Sequence, residues 1–330
     1  MPPEPGDAIQ VAFLGCGFIA GVHSRHLQAL PQVRASYASR DRARAEEFRD
    51  RFDGVRAYDD YQAALADPEV DAVVISVPPA LHLDLTLAAL EAGKHVLVEK
   101  PAFPHAEDFR TAIAARDAAE RVVLVGENDH YKPLAVTLRG LLAEGVIGDL
   151  VMAHFTTVAD KPKAADDWRN DESMAGGDAF FEEGIHWLHL AGSLGPRITE
   201  IHGLRPTPSA APGADRRARS MLVAFAYDNG ATGALFYSRE VPSLLRGLRT
   251  SKLYGREGVI TFESNGAAVL VRGRGLPRVV VPGVREARDI RGYRAMYADF
   301  AAAIRTGRAP EMTLERALED HLLMEQVRDG

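Results

Sequence analysis

The sequence is poor in cysteine and has no long apolar run. Cys16 is the one cysteine among 330 residues, so no disulfide can form within the chain. No apolar stretch approaches the roughly 20 residues that a membrane-spanning helix requires. The start, MPPEPGDA, is acidic and rich in proline, unlike the basic and apolar segments of a secretory signal. We therefore expect a cytoplasmic protein, without a membrane span, in a reducing compartment.

Positive charge is also in short supply. The 39 lysines and arginines are outnumbered by 46 aspartates and glutamates, which gives a formal net charge of −7, and no basic run is interleaved with aromatic residues. Nucleic acid is therefore not an expected partner, because a phosphate backbone is attracted by a broad positive field. What remains, 46% hydrophobic and 26% charged residues, is typical of a soluble enzyme long enough for two domains.

Short apolar runs alternate with helical patterns from residue 9 to about residue 126. In order they are IQVAFL, FIAGVHSRHLQAL, VRASYAS, RDRARAEEFRDRF, DAVVISV, ALHLDLTLAALEAG, KHVLVEK, EDFRTAIAARDAAE and RVVLVGE. This alternation of strand and helix predicts a doubly wound parallel α/β sheet. We assign residues 1–127 to this domain.

The pattern changes in residues 128–330. Alternating strands follow one another without helices between them, and Asn229-Gly230 joins two of them as a hairpin signal. We predict an α+β domain with a mostly antiparallel sheet, covered on one face by helices of the middle segment or by a partner subunit. The stretch PTPSAAPGADRRAR indicates a surface loop. Two helical patterns close the chain, and these helices can pack back on the first domain.

A glycine turn joins the first strand to the first helix. Gly15, Gly17 and Ala20 give G-x-G-x-x-A, with Phe18 and Ile19 at the helix start. A dinucleotide site needs no side chain where the chain turns, none where the backbone approaches the pyrophosphate, and a helix N-terminus directed at the anion. The turn therefore predicts dinucleotide binding. A tight glycine turn without a ligand is the alternative.

The residues after the second strand indicate the type of dinucleotide. An NAD site places Asp or Glu here for the ribose hydroxyls, whereas this chain has Ser39 and Arg40. A hydroxyl and a guanidinium suit the 2′-phosphate of NADP, and Arg40 can also lie against the adenine. NADP is thus the preferred cofactor and NAD the alternative. A small shift in register would bring Asp41 to the ribose instead.

The segment HVLVEKP puts Glu99, Lys100 and Pro101 at the carboxyl end of a strand, where open α/β sheets bind ligands. Together with three further segments, this chain resembles the glucose-fructose oxidoreductase, inositol dehydrogenase and MocA (Gfo/Idh/MocA) family over nearly its whole length. The segments are GCGFIA, SVPPALHLDLTLAALEAGKHVLVEKP, DDWRNDESMAGGDAFFEEGIHWLHLAG and FAAAIRTGRAPEMTLERALEDHLL. The resemblance implies a Rossmann domain, an open-faced antiparallel sheet in the second domain and NAD or NADP as hydride carrier. It also implies a homodimer or homotetramer built through the sheet faces.

In the family, the lysine of E-K-P contacts both the substrate oxygen and the cofactor ribose, and the bond before the proline is often cis. The resemblance assigns these roles to Lys100 and Pro101. An ammonium group there is suited to polarising the reacting oxygen. A lysine at a strand end that only reaches solvent is the alternative.

A second motif, GGDAFFEEGIHWLHL, resembles the family's substrate segment. Its alignment puts Glu182 at an aspartate and His186 at a histidine, four residues apart on one helix face. We expect His186 to be the acid/base, because imidazole titrates near neutrality, and Glu182 to hold its ring or bind substrate. Asp178 replaces a glycine and is a substrate-binding candidate. His189 stands where an aspartate is common and is expected to be a core histidine.

Glu182, His186 and His189 share a face that could take a divalent cation if a fourth ligand were present, but we predict no metal. The resemblance places further residues beside the cofactor or substrate. Those expected at the cofactor are Ser76, Pro78, His82, Glu99, Asn128, Trp168 and Arg169, and those expected at the substrate include Tyr131 and Lys132. Packing is an equal alternative for His82, and nearly so for Trp168 and Arg169.

These features together predict an NAD(P)-dependent oxidoreductase acting on a small molecule. Hydride would pass between the nicotinamide C4 atom and the alcohol or ketone carbon of a sugar, cyclitol or related polyol. One alternative is a nicotinamide-binding protein without net dehydrogenase activity, such as a sensor or a non-redox catalyst. The other is a reductase of a non-sugar substrate, such as a dihydrodiol, an imine or a biliverdin-like compound.

Overall fold

The computed structural model describes residues 8–160, 167–206, 219–241, 249–264, 266–275, 277–282 and 289–329. The chain divides into two compact units. The first comprises Met1–Asn128 and Gly292–Leu318, and the second comprises Asp129–Arg291 and Glu319–Gly330. The last helix of the chain therefore contributes residues to both units.

The first unit contains six strands and six complete helices among its described residues. The strands are β1 (Ile9–Leu14), β2 (Val33–Ala38), β3 (Ala57–Tyr58), β4 (Ala72–Ile75), β5 (His95–Glu99) and β6 (Val123–Gly126). The helices are α1 (Phe18–Leu27), α2 (Arg42–Phe52), α3 (Tyr61–Ala66), α4 (His82–Glu91), α5 (Ala106–Ala119) and, after the second unit, α9 (Tyr293–Thr306).

These six strands form one parallel sheet in the order β3-β2-β1-β4-β5-β6. The chain reverses its direction of winding between β1 and β4, which is the topological switch point of a doubly wound sheet. All residues of β4 and β6 are buried, because helices cover both faces of a parallel sheet. The predicted doubly wound parallel fold is confirmed.

Strand β3 and helix α3 were not expected from the sequence. The strand has only two residues, both half-buried, and pairs with the end of β2. Such a short strand carries no alternating apolar pattern that would distinguish it from a turn. Helix α3 begins after Asp60, whose carboxylate accepts a hydrogen bond from the Ala63 backbone amide at 2.6 Å.

The second unit contains eight strands among its described residues. They are β7 (Leu150–Val158), β8 (Ile198–Leu204), β9 (Ser220–Tyr227), β10 (Thr232–Ser238), β11 (Thr250–Gly255), β12 (Gly258–Glu263), β13 (Val269–Arg272) and β14 (Arg278–Val280). The helices are α6 (Pro133–Ala143), α7 (Glu172–Ala175) and α8 (Ala179–Gly192), together with the later part of α10 (Leu314–Asp329).

The eight strands form one sheet in the order β14-β13-β12-β11-β7-β10-β9-β8. Neighbouring strands are antiparallel except for β7 and β10, which pair in parallel. The predicted hairpin at Asn229-Gly230 is confirmed, since β9 and β10 flank it and pair with each other. Strand β8 was not expected, because this edge strand buries little apolar surface and its pattern is weak.

One face of the large sheet packs against helices α6, α8 and α10. The core includes Leu138 of α6, Leu188 of α8 and Met324 of α10, which lie with Phe155 and Leu235 of the sheet in one buried cluster. The helices that cover this face therefore come from within the chain. The opposite face exposes large apolar side chains, namely Met152, Phe236, Leu270 and Val279.

In the described parts of the chain, no helix is both long enough and apolar enough to pass through a bilayer. The segment PTPSAAPGADRRAR, predicted as a surface loop, lies almost entirely outside the described residues.

Candidate cofactor and active site

The glycine turn between β1 and α1 leaves room for a ligand. Gly15 has a φ of 107°, and a Cβ atom there would lie 2.9 Å from the carbonyl oxygen of Ser76. A Cβ atom on Gly17 would meet no described atom within 4 Å. Gly17 is the N-cap residue of α1, and within the described structure no side chain caps this helix start. The turn therefore fits a pyrophosphate at the helix N-terminus, close to Phe18 and Ile19.

Side chains of the first unit hold this turn in place. The Ser76 hydroxyl donates to the Gly15 carbonyl oxygen at 3.0 Å, and the Arg44 Nε atom donates to the Cys16 carbonyl oxygen at 3.1 Å. The Cys16 thiol faces the Ala38 carbonyl oxygen, and burial raises its pKa to about 12. Ser76, predicted to contact the cofactor, thus has a structural contact of its own, and cofactor binding by Ser76 stays a prediction.

The end of β2 presents Arg40 as an exposed cation. Asp41 is the N-cap of α2, and its carboxylate accepts the Ala43 backbone amide at 3.0 Å. The Ser39 hydroxyl oxygen accepts the Asp41 backbone amide at 3.2 Å. The alternative in which Asp41 binds the ribose is therefore weakened, because this carboxylate already caps a helix.

His82 links the end of β4 to the segment that follows Lys100. Its Nε2 atom lies 2.8 Å from the Val77 carbonyl oxygen and its Nδ1 atom lies 2.9 Å from the Ala102 carbonyl oxygen. The ring is buried, which lowers the pKa of His82. Because both ring nitrogens face backbone carbonyls, the packing role is favoured over the predicted cofactor contact. Pro78 is the N-cap of the short 3₁₀ helix Pro79–Leu81 that precedes α4.

The E-K-P segment leaves the sheet at the carboxyl end of β5. The Lys100–Pro101 peptide bond is cis, as the resemblance to the family implies, and Lys100 is half-buried. Glu99 was expected at the cofactor, but its side chain is buried, with Oε1 2.8 Å from the Nε2 atom of His23. That contact directs the carboxylate into the unit, so the expected cofactor contact of Glu99 is disfavoured. Asn128, also buried, begins a short 3₁₀ helix, Asn128–Tyr131.

In the second unit, Asp129 joins two predicted substrate residues. The Lys132 Nζ atom lies 2.6 Å from its Oδ1 atom, and the His186 Nδ1 atom lies 4.0 Å from the same oxygen. Tyr131, which lies between Asp129 and Lys132 in the sequence, is buried. One oxygen of Asp129 thus lies near both the Lys132 ammonium group and the His186 ring.

Glu182 lies between two guanidinium groups. Its Oε1 atom accepts from the Arg169 Nε atom at 2.7 Å and its Oε2 atom accepts from Arg239 at 3.0 Å. Arg239, at 5% exposure, also approaches Glu183 at 3.5 Å. The Arg169 guanidinium lies over the ring of Trp168, 4.4 Å from its centroid. Two cations keep this carboxylate ionised, which disfavours Glu182 as an acid/base and favours a positioning role.

The remaining candidates on α8 have structural partners. The Asp178 carboxylate caps the helix and accepts the Phe181 backbone amide at 2.9 Å. The ring of His189 is buried, with Nδ1 2.7 Å from Asp320 and Nε2 2.9 Å from His130. Both ring nitrogens of His189 and both oxygens of Glu182 are therefore used, so the face considered for a divalent cation does not gather its donors at one point. Substrate binding by Asp178 stays a prediction.

Comparison with known proteins agrees with these features. Residues 9–127 match the model of an oxidoreductase family with an NAD-binding Rossmann fold, and residues 135–261 match the GFO/IDH/MocA C-terminal domain. The chain belongs to the Gfo/Idh/MocA family. It is accordingly an NAD(P)-dependent oxidoreductase, and its cofactor is a nicotinamide dinucleotide, NAD or NADP.

Relatives within the Gfo/Idh/MocA family align over most of the chain. Levoglucosan dehydrogenase of Pseudarthrobacter phenanthrenivorans is 24% identical over 98% of this chain and 90% of its own length. D-xylose 1-dehydrogenase (NADP(+)) 2 of Haloferax volcanii is 29% identical over 88% of this chain and 87% of its own. A solved structure of levoglucosan dehydrogenase in complex with NADH has a TM-score of 0.86 at 21% identity, covering 98% and 96% of the two chains. At that identity the structural likeness supports the fold alone.

Several residues of this Gfo/Idh/MocA site were not singled out from the sequence. Arg44 contacts the predicted glycine turn at Cys16, Asp129 lies near the predicted residue His186, and Arg239 binds the predicted residue Glu182. In sequence these three residues stand 28, 57 and 57 positions from their partners. Asp129 lies inside the segment ENDHYKPL, so its position beside Lys132 could have drawn attention to it. Nothing in the local sequence distinguishes Arg44 or Arg239 from the other arginines.

Proposed function

We propose that this protein is an NADP-dependent dehydrogenase or reductase that acts on a secondary alcohol or ketone of a sugar, cyclitol or related polyol. One observation carries the proposal. Lys100 follows β5, the glycine turn follows β1, and β4 pairs with both strands in a parallel sheet. Parallel strands end at a common edge, so the turn and the ammonium group lie on the same edge of the sheet.

In this proposal the cofactor, when bound, accepts hydride from the alcohol carbon or returns it to the ketone carbon. Lys100 hydrogen-bonds the oxygen on that carbon with its ammonium group. An alkoxide-like oxygen binds a cation more strongly than a neutral hydroxyl does, so this contact gains strength as charge develops on the oxygen.

His186 is the proposed acid/base. It takes the hydroxyl proton during oxidation and returns it during reduction, and its Nδ1 atom lies 4.0 Å from the Oδ1 atom of Asp129. Glu182 has a different proposed role. Held between Arg169 and Arg239, it fixes the start of α8 and orients substrate hydroxyls without exchanging a proton.

The substrate class rests on the relatives. Those that cover most of the chain are named for levoglucosan and D-xylose, both sugar-type molecules with secondary alcohols. The proposed preference for NADP rests on the first unit. Arg40 is exposed after β2, Arg44 lies beside the glycine turn, and Asp41 is occupied as a helix cap. A phosphate between guanidinium groups gains charge-assisted hydrogen bonds.

We also propose that the protein forms a homodimer or homotetramer through the open face of its large sheet. The occupant of that face is a second copy of the same chain. Leu270 and Val279 are cross-strand partners, and both side chains are more than half exposed. Phe236 and Met152, each about 45% exposed, extend the apolar surface across the middle of the sheet. Exposed apolar patches of this kind are typical of interfaces, and symmetric pairing buries the same patch twice.

Turnover assays test the proposed reaction. The purified protein is mixed with NADP or reduced NADP and a panel of sugars, cyclitols and their ketones, and the absorbance of the reduced nicotinamide is followed. Lys100→Met and His186→Ala should each retain cofactor binding and lose turnover by about 10²-fold or more. Arg110→Met, which changes an exposed cation of α5, is the matched control.

Two outcomes would contradict this proposal. If the cofactor binds but its absorbance never changes with any substrate of the panel, the protein is a nicotinamide-binding protein without net dehydrogenase activity. If both variants turn over at the rate of the unmodified protein, the assigned chemistry of Lys100 and His186 is wrong.

A further inference from the structure

Behind the E-K-P segment lies a buried chain of polar groups that the reaction itself does not require. We propose that Tyr297, His23 and Glu99 are positioning residues that fix the backbone of Lys100 and, through it, the ammonium group. This inference rests on the proposed catalytic role of Lys100. It adds three residues of the first unit, two of which have no assigned function.

The contacts form an unbroken series. The Tyr297 hydroxyl lies 2.7 Å from the Nδ1 atom of His23, and the Nε2 atom of His23 lies 2.8 Å from the Oε1 atom of Glu99. The other carboxylate oxygen of Glu99 accepts the backbone amide of Lys100 at 3.3 Å. Three elements far apart in sequence, α9, α1 and β5, thus meet at the residue proposed to polarise the substrate.

The direction of each hydrogen bond follows from the chemistry of the groups. The Glu99 carboxylate can only accept, so a His23 ring with one proton carries it on Nε2 and donates a hydrogen bond to Oε1. Nδ1 is then an acceptor and receives the hydrogen bond of the Tyr297 hydroxyl, whose pKa is raised well above its usual range by burial and next by the nearby Glu99. The carboxylate is the final acceptor of the series, and its second oxygen is left to receive the Lys100 amide.

The surroundings of these side chains are closely packed. His23 and Tyr297 are fully buried, and the His23 ring also packs against the ring of Tyr293 at 4.8 Å. Room for the carboxylate depends on Gly126 of β6, because a Cβ atom there would lie 2.8 Å from Glu99 Oε1. A buried carboxylate is costly, and apolar residues of similar volume would satisfy packing alone at least as well. The site instead keeps a carboxylate whose second oxygen points to the Lys100 amide.

The consequence for the reaction is geometric. Misplacement of a reacting group by about 1 Å can lower a rate about 10²-fold, so a fixed backbone at Lys100 affects the rate of hydride transfer. Loss of the series should therefore lower kcat, and it should leave the KM for NADP nearly unchanged because the glycine turn is untouched.

The test variant is Tyr297→Phe, which removes one hydroxyl and keeps the ring. The matched control is Tyr37→Phe, another fully buried tyrosine of the same unit, whose hydroxyl donates to Ser24 at 2.9 Å. We expect Tyr297→Phe to lower kcat about tenfold, with the KM for NADP within about twofold and a larger primary deuterium isotope effect from substrate labelled at the oxidised carbon. Tyr37→Phe should change thermal stability only.

A double-mutant cycle asks whether the effect passes through Lys100. In the Lys100→Met background, Tyr297→Phe should cause no further loss of kcat. A tenfold loss that persists in this background would overturn the proposal. So would equal effects of Tyr297→Phe and Tyr37→Phe on kcat.

A readout without turnover separates this inference from the proposed function. The chain has six lysines, so reductive methylation with a carbon-13 label gives a simple spectrum, in which Lys100 is the signal missing from Lys100→Met. Tyr297→Phe should shift that signal and Tyr37→Phe should not. If turnover is absent but the shift occurs, the proposed function fails and the positioning series stands. An unshifted signal in Tyr297→Phe contradicts the series itself.

Discussion

The Nδ1 atom of His130 lies 2.9 Å from the Nε2 atom of His189, and both rings are buried. In such a contact one ring nitrogen must carry a proton and the other must accept it, so the tautomers of the two rings depend on each other. Asp320, with a carboxylate oxygen 2.7 Å from Nδ1 of His189, accepts a hydrogen bond from that nitrogen, so Nε2 of His189 is the acceptor for His130. The carboxylate therefore sets the tautomers of the two rings.

Asp320→Asn should destabilise the second unit by about 1–3 kcal/mol, because an amide group at this place leaves a buried polar partner poorly satisfied. Urea unfolding followed by circular dichroism measures the loss. Glu319→Gln, one position earlier and exposed, is the control and should change the midpoint little. Equal midpoints for Asp320→Asn and the unmodified protein would show that the carboxylate does not organise the two rings.

Glu182→Gln and His186→Gln should have different effects on the pH dependence of turnover. Glu182 is held ionised by Arg169 and Arg239, so Glu182→Gln should lower kcat/KM and the free energy of unfolding without moving the acidic limb of the pH profile. His186→Gln should remove that limb. The measurement is kcat/KM as a function of pH for both variants. A limb that disappears in Glu182→Gln would return the acid/base role to the carboxylate.

Arg40→Ala should weaken NADP binding about tenfold, which corresponds to about 1.4 kcal/mol, and should change NAD binding little. The reason is that NADP alone carries the 2′-phosphate. Fluorescence titration of the pure protein with each cofactor gives both dissociation constants. Arg51→Ala, near the C-terminal end of α2, is the control. An equal loss of affinity for both cofactors would refute the role of Arg40.

Acid should destabilise the first unit through His95. The Nδ1 atom of His95 accepts the Val122 backbone amide at 3.0 Å, and burial, followed by the nearby Arg121, lowers the pKa of His95. In the unfolded chain the imidazole has a pKa of about 6.5. Between this value and the lower pKa of the folded state, the unfolded chain binds more protons than the folded chain. Stability is complete above about pH 6.5 and is lost as the pH falls through the lower pKa of the folded state.

The melting temperature should therefore decrease between about pH 7.5 and about pH 5, and His95→Gln should make this decrease shallower. His82 acts in the same direction, because burial lowers its pKa as well. His202→Gln changes an exposed histidine and is the control. A slope that is identical in His95→Gln and in the unmodified protein would exclude His95 as a source of the acid sensitivity.

Phe236→Glu should dissociate the proposed oligomer, because it places a carboxylate in the middle of the apolar sheet face. Light scattering after size-exclusion chromatography gives the mass of each form. Val55→Glu, at an exposed apolar position of the first unit, is the control and should keep the original mass. A monomeric mass for the unmodified protein, or an unchanged oligomer in Phe236→Glu, would contradict assembly through this face.

Local patterns were sufficient for much of the fold. Buried runs such as DAVVISV predicted strands of a parallel sheet, and Asn229-Gly230 predicted a hairpin, since both signals depend on near neighbours in sequence. The parallel pairing of β7 with β10 was beyond such reasoning, because it joins strands about 80 positions apart that are separated in sequence by α7, α8, β8 and β9. Strands β3 and β8 were missed since one is too short and the other buries too little.

The site could be predicted in part for the same reason. The glycine turn, E-K-P and the α8 motif are compact segments whose residues stand together in sequence. The partners of those residues come from elsewhere: Arg239 reaches Glu182 from just after β10, and Tyr297 reaches His23 from 274 positions away. Such partners decide what role a side chain can have. They favour a positioning role for Glu182 over an acid/base role, and they favour structural contacts for Glu99 and His82 over contacts with the cofactor.

The state of Cys16 has a practical consequence for the study of this protein. With a pKa of about 12 and little exposed surface, the sulfur is almost never a thiolate near neutral pH, so maleimides and mild oxidants should leave it unmodified. The chain is in effect free of reactive thiols without any substitution. A cysteine introduced at a chosen surface position should therefore carry a spectroscopic probe at one place only, with the glycine turn left in its natural form.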